Sequence, residues 1–171
     1  FKDHLSLPND QIIAEWDFIN DDGNTQNEGD DPNVQHSHGT ATWSALGGRI
    51  DGILYGPAYD SMFLLAKTED VSQEEPIEED WYVEALEWGE GLGADVASSS
   101  LGYIDWYELE DLDGLTAVTT IAANIAIENG MILATAAGNH GFNGLVAPSD
   151  AFEVITCGAV DSTGAVASFS S

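Results

Sequence analysis

An α/β fold, with a parallel sheet covered by helices on both faces, is predicted by two features of this sequence. Short apolar runs alternate with helical patterns from one end to the other, which is the rhythm of strand-helix-strand units. Hydrophobic residues make up 43% of the 171, enough to bury a core and too many for a disordered chain. One globular unit over residues 1–171 is therefore expected.

The elements follow in order. A first strand is predicted from Gln11 to Phe18. After it, Asn20 to Gln35 is rich in Asp, Asn and Gly and reads as a long loop feeding His38; loops of that length inside a compact domain are often functional. A helix begins near His38 and stops at Gly47-Gly48, and a second strand runs from Ser61 to Thr68. Between Asp80 and Leu92, the residues Trp81, Ala85, Trp88 and Leu92 fall three or four apart. They predict one apolar helix face, with Glu84, Glu87 and Glu90 elsewhere and an acidic start that suits the helix dipole. A strand from Asp95 to Ser100 precedes a helix from about Leu115 to Glu128, with Val118, Ile121, Ala122 and Ile125 on its buried side and Asn129-Gly130 as its stop. Strands from Gly130 to Thr135 and Glu153 to Val160 complete the pattern. The longest apolar run, Gly130 to Ala137, is strand-sized and far short of the ~18–20 residues that span a bilayer.

Charge excludes some partners. Thirty-one Asp and Glu against 3 Lys and Arg give a formal net charge of -28, which repels nucleic acid and anionic membrane surfaces. The acids lie mostly between apolar segments, at Asp21, Asp22, Asp30, Asp31, Glu74, Glu75, Glu78 to Asp80 and Asp105 to Asp113, and read as solvated loops and helix faces. Clustered hard oxygens on loops also leave room for structural calcium, while no cofactor is expected for catalysis. The single Cys157 lies in an apolar run, where a buried, inert thiol is expected.

Three segments carry candidate chemistry. His36-Ser-His38-Gly-Thr puts an imidazole where a loop enters a helix, with Gly39 leaving room for another segment to approach. On these residues alone, a capping or packed histidine is a better reading than a catalytic base. An alternative functional reading is a metal site, because His36 and His38 share one face of an extended segment and His4, His140 or the many Asp residues are available as further ligands. Met131 to Gly141 is an apolar strand ending in Ala136-Ala137-Gly138-Asn139. It reads as an ordinary turn, or as an amide placed to donate a hydrogen bond to a developing oxyanion. Asp95 to Tyr103 ends in Ser100-Leu101-Gly102, either a sheet strand and turn or an edge against which an extended peptide pairs.

In order and spacing, His38-Gly-Thr, Ser100-Leu-Gly, Ala137-Gly-Asn139, Val154-Ile-Thr-Cys-Gly-Ala-Val-Asp161 and Ala167-Ser-Phe-Ser-Ser171 resemble the subtilisin-like serine peptidases, the subtilases. Gly56-Pro57-Ala58 and the following Met62-Phe-Leu-Leu-Ala resemble the family's turn and strand after the histidine helix. The resemblance implies a three-layer subtilisin-like fold and a secreted, monomeric serine endopeptidase acting on polypeptide substrates. By position, His38 matches the general base and Asn139 the oxyanion donor. Ser100, Leu101 and Gly102 match one wall of the main specificity pocket and the strand that pairs with substrate; Ala136, Ala137 and Gly138 match the other wall. Small residues on both walls leave space for a large apolar side chain.

The departures count too. Nothing upstream of His38 matches the family's Asp-Ser/Thr-Gly segment, and Asp17 lacks that context and looks like part of the strand that follows it. The Gly-Thr-Ser motif of the nucleophile has no match, so Ser170 and Ser171 are not it. The chain, opening on Phe1 and closing on Ser171, is therefore expected to be an internal piece of a peptidase domain, truncated at both ends and inactive alone. Trp43 is bulkier than the residues usual on the histidine helix, and Trp81 to Leu92 is unusually acidic. Two further readings stay open: a non-catalytic, acidic, calcium-binding or structural module on the same scaffold, and a metal-dependent hydrolase using His36 and His38.

Overall fold

The computed structural model describes residues 4–29 and 31–171; Asp30, one of the loop acids, lies outside them. The chain divides into two compact units, Phe1–Trp81 and Tyr82–Ser171.

In the first unit, β1 (Ile12–Asp17) and β4 (Phe63–Lys67) pair in parallel, from Ile12 opposite Phe63 to Asp17 opposite Lys67. Parallel neighbours need a crossover. It contains α1 (Ser37–Gly47) and a short antiparallel hairpin of β2 (Arg49–Ile50) and β3 (Leu54–Tyr55). The hairpin is not foreshadowed in the sequence, because two-residue strands are too short for alternation to register. The buried core here is small: Leu7, Trp43 and Phe63, flanked by Ile12, Leu46, Ala58 and Leu65. Trp43 meets Phe63 edge to face at 5.9 Å between ring centroids, an arrangement that aromatic quadrupoles favour. A Cβ on Gly47 would lie 2.5 Å from the Phe63 ring, so glycine is what lets α1 settle onto β4.

In the second unit, β5 (Val96–Ser99), β6 (Ile132–Ala136) and β7 (Ile155–Cys157) form a three-stranded parallel sheet in that order. The connection from β5 to β6 carries α3 (Val118–Glu128). Tyr82, Leu86, Tyr103, Ala123, Ala126, Met131, Leu133 and Ala151 make the core. The predicted α/β class with parallel strands is therefore present, each strand boundary falling within a few residues of expectation.

Two predicted helix faces are wrong. On α3 the buried residues are Thr119, Thr120, Ala123 and Ala126, whereas Val118, Ile121 and Ile125 are 42%, 43% and 53% exposed. Small side chains let α3 lie close against the core, and the buried Thr120 hydroxyl is satisfied by donating to Asp150 Oδ1 at 2.5 Å. The larger apolar residues instead line a groove shared with Val83, Leu86 and Ala122. On α2 (Ile77–Gly91) the buried stripe in this unit is Tyr82, Leu86 and Gly89, one residue on from Trp81, Ala85 and Trp88, which are only partly buried; Leu92 is exposed. The expected burial of Cys157 also fails. It lies with Val96, Ile132 and Ile155 on a sheet face that no described residue covers.

Candidate active site

The loop before His38 is held by charge. Lys67, at the end of β4, donates to Asp17 Oδ2 at 2.6 Å and to Asp31 Oδ2 at 2.7 Å. Asp17 is fully buried and its oxygens also accept from the Ile19 and Asn20 backbone and the Asn20 amide. Four hydrogen bonds occupy this carboxylate, so it serves as an anchor for the loop. Burial pushes the Asp31 carboxyl up, but hydrogen bonds from Lys67 and the Glu28 backbone, with the Lys67 charge, outweigh it and hold it below the usual carboxylate range. Burial likewise lowers the Lys67 ammonium, and its two carboxylate partners more than reverse that.

Next along the loop, buried Gln35 donates to the Glu69 carbonyl and accepts from Val71 N–H at 2.9 Å. His36 lies 2.7 Å from Asn27 Oδ1 through Nδ1, and Asn27 donates its amide to the Pro32 carbonyl at 2.8 Å. With that amide oriented, Oδ1 is the acceptor and His36 Nδ1 carries the proton. These contacts bring the chain into α1 with His36 at the N-cap and His38 in the first turn, exposed and making no side-chain hydrogen bond among the described residues. His36 is thus committed to Asn27. Among the described residues, neither histidine belongs to a convergent group of three or more metal-ligating side chains. A Cβ on Gly39 would meet nothing within 4 Å, so the close approach expected there is not made by any described residue. One carboxylate group does converge: oxygens of Glu69, Glu74 and Glu78 lie within 4.8 Å of one another. Buried Glu78 also accepts from the backbone of Asp70 and Glu75.

In the second unit the sheet brings the other candidates together. Ser99 pairs with Thr135 in the β5–β6 ladder, so Ser100-Leu101-Gly102 and Ala136-Ala137-Gly138 leave adjacent strands at the same end. Ser100 and Gly102 are exposed, Leu101 packs against the core, and the backbone of all three makes no hydrogen bond among the described residues; Tyr103 then pairs with Ala147. Gly138 has φ +119°, a conformation that strains any other residue, and turns the chain so that Asn139 is exposed. The Asn139 amide makes no hydrogen bond among the described residues. Its turn is fastened from the far end of the chain: Ser171 N–H donates to the Gly138 carbonyl at 3.1 Å, and His140 N–H to Ser171 Oγ at 3.2 Å. The space expected between the two glycine-bearing segments is not empty. Val146, 2% exposed, packs against both Gly102 and Gly138.

Sequence reasoning missed Lys67, Asp31, Gln35 and Val146. Lys67 had a signal, since one of only three cations, ending an apolar strand in so acidic a chain, has to be paired. Val146 had none, because its role depends on two glycines far from it in sequence.

Among known proteins, the model of the Subtilase family matches residues 6–171. Similar solved structures include MycP1 with its N-terminal propeptide removed, at 21% identity and TM-score 0.69, covering 99% of this chain and 56% of that one. The self-cleaved protease domain of PatA follows at 26% identity and TM-score 0.64, covering 78% and 48%. The prenylagaramide maturation protease PagA gives 24% identity and TM-score 0.60, covering 74% and 44%. The chain spans about half the length of the solved structures it matches. No curated protein sequence matches it. With the family match running from Ser6 to Ser171, through the His38, Ser100, Asn139 and Ala167 segments in their expected order, this chain belongs to the subtilase family.

Proposed function

We propose that this chain carries the base and the oxyanion donor of a serine endopeptidase domain that hydrolyses peptide bonds through an acyl-enzyme. In this reading His38 takes the proton of the serine nucleophile and later gives it to the leaving amine. The Asn139 amide donates to the oxyanion of the tetrahedral intermediate, and the free backbone of Ser100 to Gly102 pairs with an extended substrate. The triad's aspartate and serine come from sequence beyond these residues, so the 171-residue chain alone is inactive. The full enzyme acts outside the cell as a monomer. The observation that carries the reading is the exposed Asn139 amide at the carboxyl end of β6, which makes no hydrogen bond among the described residues and lies beside a strand edge that none of them pairs. Solved neighbours described as maturation proteases for patellamide and prenylagaramide support a polypeptide substrate.

The test is expression of the full-length reading frame and labelling with a fluorophosphonate, which reacts only with an activated serine. Labelling and peptide hydrolysis are expected. His38→Ala lowers kcat by about 10⁶-fold and Asn139→Ala by about 10²–10³-fold, magnitudes taken from subtilisin itself. A folded full-length protein that neither labels nor cleaves would remove the peptidase reading.

One observation favours a second reading, a non-catalytic acidic module: the convergent carboxylates of Glu69, Glu74 and Glu78 offer hard oxygens suited to calcium. A calcium-dependent rise in melting temperature together with no fluorophosphonate labelling would select it.

A further inference from the structure

The imidazole of His38 is exposed and makes no side-chain hydrogen bond among the described residues, so its place is set by the backbone that carries it. That backbone is the first turn of α1, and the turn has no cap of its own. His36 stands at the N-cap with φ −79° and ψ −9°, its side chain makes no capping hydrogen bond, and the first turn holds no acidic residue. Helix starts ordinarily draw on one or both of these, because their leading N–H groups have no partner within the helix. A contact outside α1 has to fix where it begins.

Gln35 makes that contact. The residue is 7% exposed, and its amide forms two hydrogen bonds to the segment that follows β4: Nε2 donates to the Glu69 carbonyl, and Oε1 accepts from Val71 N–H at 2.9 Å. One planar group thus bonds on either side of Asp70, as a residue of a parallel strand bonds on either side of its partner. A glutamate there would lack the donor, and a methionine both donor and acceptor. The segment it grips is itself held. Phe18 N–H donates to the carbonyl of Lys67, the last residue of β4, at 2.9 Å, and Asp70 N–H donates at 2.9 Å to Oε1 of Glu78, a buried residue in the first turn of α2. On the near side, Gln35 N–H donates to the Pro32 carbonyl and Ser37 N–H to that of Val34, both at 2.9 Å, which leaves little slack between the Gln35 amide and the start of α1.

We propose that Gln35 is a positioning residue for the general base. Its buried amide sets where α1 begins and, through that first turn, the reach of His38 toward the proton it takes. This rests on the peptidase reading above. The proton transfer itself stays with His38, and a catalytic group displaced by about 1 Å loses on the order of 10²-fold in rate.

The experiment is a double-mutant cycle in the full-length enzyme, read as kcat and KM on one peptide substrate, with circular dichroism to establish that each variant is folded. Gln35→Met keeps the length of the side chain and removes both hydrogen bonds. It is expected to lower kcat by about 10–10²-fold at nearly unchanged KM, and the rate of fluorophosphonate labelling by the same factor. On a His38→Ala background it is expected to change kcat by less than about 2-fold, because a residue that acts through the base then has nothing left to position. Gln35→Asn keeps the amide but withdraws it by one methylene; a smaller loss is expected, and it carries the same cycle where Gln35→Met does not fold. A folded Gln35→Met that leaves kcat unchanged would overturn the role. So would an equal loss with and without His38, a loss confined to KM, or failure of both variants to fold, each of which assigns the amide to stability or binding alone. Wild type that neither labels nor cleaves would overturn the peptidase reading instead, and that result involves no Gln35 variant.

Discussion

The two units hold their candidate residues by different physics. In Phe1–Trp81, the approach to His38 is fastened by ions and polar side chains: the Lys67–Asp17–Asp31 cluster, buried Gln35, and His36 on Asn27, over an apolar core of three buried side chains among the described residues. In Tyr82–Ser171, the turn that presents Asn139 rests on an eight-residue apolar core and on backbone pairing by the segments around Val146 and Ser171. The first is a problem of charge compensation, the second one of volume. A small core cannot by itself fix a long loop, so charge has to do it. A large one can, and there an error of a single methyl group is what matters.

Each kind of anchor predicts its own failure. The largest effect is expected from Lys67→Met, which strands fully buried Asp17 without its cation and should cost about 3–5 kcal/mol in chemical denaturation. Adding Asp17→Asn should recover part of that loss, because the double variant leaves no buried unpaired charge there. Additive losses would mean that the cluster is not the loop's anchor. Next comes Leu133→Ala, 1% exposed in the second unit's core, at about 2–5 kcal/mol with little dependence on pH. Ser171→Ala removes the acceptor of His140 N–H and should cost only about 0.5–1.5 kcal/mol. Its sharper readout, in the full-length enzyme, is a fall in kcat at nearly constant KM if the turn carrying Asn139 loosens; an equal change in both would leave it a purely structural contact.

The smallest expected effect is the most diagnostic of the contrast. Asp31 is held below its ordinary range, so its contribution is complete above the unfolded value and is lost as pH falls through the lower folded one. Lys67 is held above its ordinary value, so its contribution is complete below that value and is lost as pH rises through the folded one. Denaturation midpoints across pH should thus fall at both extremes. Lys67→Met should flatten both limbs and Leu133→Ala should leave their shape alone. A wild-type profile with the same limbs as Lys67→Met would break the comparison.

Elements with strong local pattern were legible: the strands around Ala14, Leu65, Ala97, Leu133 and Thr156 fall where apolar runs predict them, because parallel strands are written as such runs, even in β7, whose residues are exposed among the described ones. Helix faces were less so. On α3 the alanines and threonines face the core and Val118, Ile121 and Ile125 do not, since closeness of approach outweighed hydrophobicity, and periodicity alone carries no record of distance. The candidate residues His38, Ser100 to Gly102 and Ala136 to Asn139 were found through ordered motifs, which are local by nature.

By itself, then, the sequence determined the α/β class, the order of the strands and helices, and the motifs that match the subtilase family. Those depend on local pattern, and local pattern is written in consecutive residues. Only the tertiary structure decided that Asp17 and Lys67 are committed to each other and that His36 is turned to Asn27. It alone placed Val146 between Gly102 and Gly138. Each of those outcomes joins residues distant along the chain, and which distant residues meet is settled by packing.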